Sequence, residues 1–240
     1  MSLLVFVIVM VIGLLFSGVV HELGHLVMGL CNGWEFMMFQ VGPFLWVREQ
    51  IGGPIAFQLS GNLARWGGIS ASYPVLNDVE NIEVWSKVLI AGPITSILVG
   101  VLFFVLYHFV HEKPILFIGL ICFTIGMVTL IPLPFQNGIT YNDGMRFKRL
   151  HSGGQEAKEE IAMFHIVEDT SIVNGKKKTT REDWEALIHS KSESYQYFGL
   201  QQLLTLGNLN EEEKKEVRKR LDVLKDSGKV TKYLLEEMPY

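Results

Sequence analysis

The sequence predicts a mainly α membrane protein: a core of three transmembrane helices carrying a strand-rich, membrane-associated loop, followed by a small soluble all-α domain. Three observations predict it. Residues 1–140 hold only 11 of the 46 Asp, Glu, Lys and Arg residues, and residues 141–240 hold the other 35. Three runs in the first part are long and almost uncharged. Helical periodicity with capping signals takes over from about Asn142. The expected boundary lies at 149/150, with 1–149 embedded in the membrane and 150–240 a cytosolic helical domain.

The first span is read over residues 2–30, which contain one formal charge, Glu22. It begins "MSLLVFVIVM", without a basic start, and no small-x-small site follows, so it reads as a span rather than a signal peptide. Its length exceeds the ~20 residues that a helix needs to cross a bilayer. The second span covers 88–110 and the third 115–134, separated by the polar break "HEKP". Three spans place the loop 35–80 and everything after 135 on one side. That side carries Arg48, Arg65, Lys87, Arg146, Lys148 and Arg149, against Lys113 in the break. The basic bias therefore predicts an amino terminus outside the cell membrane and a carboxyl-terminal domain in the cytoplasm.

Turn signals "VGP", "IGGP" and "SGN" divide the loop into short alternating stretches such as "IAFQLS" and "GGISAS". These predict two to four strands. Open strand edges cannot face lipid, so they are expected against protein or a wet cavity. In the last part, helices are expected at 154–168, 181–191, 194–206, 211–226 and 229–237. Thr180 with Asp183, and Asn210 ahead of an acidic turn, are cap-like starts. The lysines at 176–178 read as a solvated loop, and Trp34, Trp46 and Trp85 as interfacial aromatics. A net charge of −4 gives no sign of a nucleic-acid partner. Cys31 and Cys122 have no metal-type or redox spacing. The helical domain carries no legible chemistry and reads either as a module that binds a regulatory partner or as structural support.

His21-Glu22-Leu23-Gly24-His25 is HExxH. On a helix, residues i and i+4 share one face about 6 Å apart along the axis, so both imidazoles reach one zinc. The glutamate between them can act as base toward a water that the metal activates. A carboxylate at membrane depth is costly unless a cation accompanies it, and a zinc ion is such a cation. A catalytic zinc usually takes a third protein ligand. Asp143 is the only acid in "LIPLPFQNGITYNDGMR", and its position alone leaves it either a ligand or a turn residue of "NDG". The small-residue stripe Gly92, Ser96, Gly100 reads first as helix packing.

HELGH in one span, "AGPITS" in the next and a proline-rich segment closing on "NDG" resemble the site-2 protease family of intramembrane zinc metalloproteases. The motifs cover about residues 10–149, and "RWGGISAS" is similar to the family's glycine-rich strand. The resemblance implies zinc held by His21, His25 and Asp143, with Glu22 as general base. Thr129 and Ser96 stand where the family has asparagines, and Asn137 or Asn142 could supply the missing amide. The implied activity is hydrolysis of a peptide bond in or next to the transmembrane segment of a protein or peptide in the bilayer. Phe57 and Leu59, in a strand-like stretch, are candidates for gripping an unwound substrate by strand addition. A degenerate relative that binds a membrane partner without cutting it is the main rival, and a zinc transporter the second.

Overall fold

The computed structural model describes residues 2–48, 52–61, 68–74, 78–133, 136–137, 140–171, 179–206 and 209–230. The lysines at 176–178, the glycine-rich stretch at 65–67 and the expected last helix beyond residue 230 lie outside them. The chain divides into two compact units, Met1–Pro132 and Leu133–Tyr240.

Helix α1 (Leu3–Cys31) opens the first unit, with the Ser2 hydroxyl accepting from the Val5 amide. It is apolar all round, yet its buried face is mostly small: Gly13, Ser17, Gly18, Gly24 and Gly29 accompany His21. Large side chains such as Leu4, Ile8, Ile12 and Leu15 point outward. Small inside and large outside is the pattern of a helix that packs closely on its neighbours and meets hydrocarbon elsewhere. Helices α2 (Asp78–Val110) and α3 (Lys113–Leu130) complete three helices long and apolar enough to cross a membrane.

Two helices have limits other than those of the apolar runs read from the sequence. Helix α2 begins at Asp78 rather than near Val88, because the charged stretch before the apolar run is also helical; Lys87 donates to Glu83 one turn back. Helix α3 stops at Leu130 rather than running to 134. Ile131 precedes Pro132 and takes an extended conformation, as a residue before proline prefers. Pro93 stays inside α2 and is fully buried.

Between α1 and α2 lie β1 (Glu35–Val41), β2 (Phe44–Val47), β3 (Ala56–Leu59) and β4 (Ile69–Tyr73). They form one antiparallel sheet in the order β3-β2-β1-β4. Gly42, at φ +57°, turns the β1–β2 hairpin. Strand β1 is central, and its Phe39 and Val41 pack with Leu26 of α1. Edge strand β4 lies against α1. At the other edge all four residues of β3 are exposed. Trp34 is buried, and its indole donates to Asn81 of α2 at 3.1 Å.

In the second unit, β5 (Gln136–Asn137) and β6 (Thr140–Tyr141) pair briefly, and five helices follow: α4 (Asp143–Ser152), α5 (Gly154–Ser171), α6 (Arg181–Ile188), α7 (Glu193–Leu206) and α8 (Glu211–Asp226). Both expected capping boxes, at Thr180 and Asn210, are present. Helix α4 was not expected. Asn142 caps it, accepting from the Met145 amide at 3.1 Å and from that of Leu133 at 3.4 Å. A buried ion network holds it: Arg149 bonds Glu160 at 2.8 Å and also Glu159, while Tyr195 donates to Glu160. Burial opposes the charge on Arg149, but its hydrogen bonds to Glu160 and Glu159 and the attraction of Glu160 together outweigh it and raise its pKa.

Burial pushes the Asp183 carboxyl up, but the hydrogen bonds from His165 and Thr180 prevail and hold it below its ordinary value. A depressed carboxyl stabilises the fold above its unfolded pKa and ceases to do so as pH falls through the folded one. Asp183→Asn is therefore expected to lower protection of α6 amides at pH 7, measured by hydrogen exchange. The gap from wild type should close as pH drops below about 4.

Candidate metal centre

His21, Glu22 and His25 lie near the carboxyl end of α1. The four-residue offset brings the two imidazoles together, Nε2 to Nε2 at 3.2 Å, with ring planes 83° apart. Each ring is also held at its other nitrogen. His25 Nδ1 lies 2.7 Å from the Val88 carbonyl oxygen. A carbonyl only accepts, so Nδ1 carries the proton and Nε2 keeps its lone pair for a metal. His21 Nδ1 lies 3.2 Å from the hydroxyl of fully buried Ser96. Two imidazole nitrogens at zinc distance in a tetrahedron stand roughly 3.4 Å apart. The donor pair therefore fits zinc with little adjustment.

Close approach of α1 and α2 makes this possible. A Cβ on Gly92 would overlap the His25 imidazole. One on Gly24 would come within 2.7 Å of both the Ala91 carbonyl and the Thr95 hydroxyl. The small-residue stripe is thus divided between two tasks. Gly92 and Ser96 face the histidines, while Gly100 packs against Phe123 of α3.

Glu22 is reached from the sheet. Ser70 of β4 donates to Glu22 Oε2 at 2.7 Å. Gly68, at φ +114°, leaves the space that the carboxylate fills; a Cβ there would lie 2.9 Å from Glu22 Cγ. Ser70 did not stand out in the sequence as a partner of the site, and Ser96 stood out only as the residue at an asparagine position of the family and in the small-residue stripe. Both lie in segments that the motifs had marked, but which side chain reaches which is decided by packing.

A family model, Peptidase family M50, matches residues 9–204, most of the chain. The chain belongs to this family, the site-2 protease family. It is a family of membrane metallopeptidases. The match extends through α4 and most of α7, well past the motifs that suggested it. No curated protein and no solved structure matches.

In this site-2 protease family member, Ser96 stands where an asparagine was expected, and its hydroxyl meets the first histidine. Thr129, the other departure, donates to the Ile125 and Gly126 carbonyls of its own helix. Phe57 and Leu59 lie on β3, the sheet edge opposite β4, and are exposed. Asp143 is the first residue of α4 in the second unit, where a helix amino terminus favours a carboxylate. Asn142 is its cap, and Asn137 pairs with Thr140 between β5 and β6.

Ser96→Ala removes the partner of His21 Nδ1 and is expected to weaken zinc binding about 10- to 100-fold, read by chelator competition. Gly92→Ala is expected to abolish stoichiometric zinc while helical content persists, read by metal analysis beside circular dichroism.

Proposed function

We propose that the chain is a zinc-dependent intramembrane endopeptidase that hydrolyses a peptide bond in or next to the transmembrane segment of a membrane protein or peptide, as in regulated intramembrane proteolysis. The observation that carries the reading is the pairing of the two histidines at Nε2, 3.2 Å apart, with His25 Nδ1 on the Val88 carbonyl and a carboxylate between them in sequence. Zinc would be held by His21, His25 and Asp143. When bound, it supplies Lewis acidity toward the scissile carbonyl and activates a water for attack. Glu22 takes the proton of that water and returns it to the leaving amine.

A transmembrane helix hides its carbonyls in internal hydrogen bonds, so a substrate must unwind and then needs new backbone partners. Edge strand β4 touches Glu22 through Ser70, which makes it the better strand for an incoming segment. Strand β3, with Phe57 and Leu59, lies three strand spacings away, roughly 14 Å. On this reading the amino terminus lies outside and residues 150–240 lie in the cytoplasm, where their helices bind a regulatory partner.

Glu22→Gln is expected to retain one zinc per chain and to lose cleavage of a co-expressed membrane substrate by at least about 100-fold, as loss of a general base implies. Cleavage at the wild-type rate would sink the mechanism.

A further inference from the structure

We infer that Ser70 is a positioning residue for the Glu22 carboxylate, so that edge strand β4, and not α1 alone, sets where the base points. This rests on the reading of Glu22 as the base. A glutamate on a helix swings about several torsions, and nothing on α1 itself fixes its oxygens. In the structure Ser70 of β4 and Gly68, just before that strand, do so. Ser70 donates to Oε2 at 2.7 Å, and the missing side chain of Gly68 makes room for Cγ and Oε1. Gly68 immediately precedes β4, so the start of that strand places both the open space and the hydroxyl beside the carboxylate.

The strand is itself tied back to the helix that carries the base. Ser70 stands opposite Phe39 in the β1–β4 register, and Phe39 packs against Leu26, one turn beyond Glu22. An apolar contact on α1 thereby fixes β1, β1 fixes β4 by its hydrogen bonds, and β4 returns a hydroxyl to the carboxylate. Occupying Oε2 leaves Oε1 to receive a proton. A hydrogen bond to an ionised acceptor is among the stronger ones, and here it is part-buried.

Threonine and valine at position 70 decide the matter, since both suit a strand and have the same shape, and only one carries a hydroxyl. In the metal-free full chain, the infrared difference between wild type and Glu22→Gln isolates the Glu22 carboxyl bands. Ser70→Val and Ser70→Ala are expected to shift these bands, and Ser70→Thr to leave them near wild type. With zinc bound in detergent micelles, the probe is a fluorogenic peptide carrying one apolar helix. Ser70→Val is expected to lower kcat roughly tenfold or more with KM and zinc content unchanged, while Ser70→Thr stays within a few-fold of wild type. Added to Glu22→Gln, Ser70→Val should slow nothing further. Unshifted bands in Ser70→Val, or equal kcat for the Thr and Val variants, would overturn the assignment. If Glu22→Gln cleaves the peptide normally, the reading of the base fails instead, and the bands alone then report whether Ser70 holds the carboxyl group.

Discussion

The Val88 carbonyl and His25 Nδ1 meet at 2.7 Å, and because a carbonyl has no proton to give, this contact settles the tautomer of the second histidine. An Nε2 lone pair on His25 then faces Nε2 of His21 at 3.2 Å. Everything that qualifies the site as a metal centre depends on that orientation. It depends in turn on α1 and α2 approaching until Gly24 touches Ala91 and Gly92 touches His25. A methyl group at either glycine would push the helices apart and break the contact from which the rest follows.

Polar groups among apolar helices are costly unless every one has a partner. At the site the partners come from two elements at once. Helix α2 supplies a carbonyl to His25 and a hydroxyl to His21, and strand β4 supplies a hydroxyl to Glu22. The sheet is therefore more than a lid on the helices. Its central strand is buried against α1, and its edge delivers a donor to the acidic side chain. The other edge, β3, carries exposed apolar residues and contributes nothing to the histidines.

Much of the architecture was legible in the sequence because its signals are local. Charge-free runs gave the spans, the four-residue histidine spacing gave one helical face, and Thr180 and Asn210 gave capping boxes. Errors arose where local signals compete. "NDG" looks like a turn, yet Asn142 caps a helix, since basic Arg149 and His151 at the far end favour α4 and buried carboxylates on α5 hold it. The charged stretch before residue 88 looked like loop because it is polar, but polarity excludes a residue from lipid and not from a helix.

By itself the sequence determined that His21, Glu22 and His25 share a face, and that this face lies in an apolar span, because helical periodicity is fixed by backbone geometry. It also determined the family, through motifs that survive as ordered strings. Only the tertiary structure decided which nitrogen of His25 holds the proton, that Ser96 rather than an amide meets His21, and that β4 instead of β3 reaches Glu22. Those outcomes join residues 48, 63 and 75 positions apart in the chain. No local pattern encodes them, since they depend on how closely two helices and one strand pack.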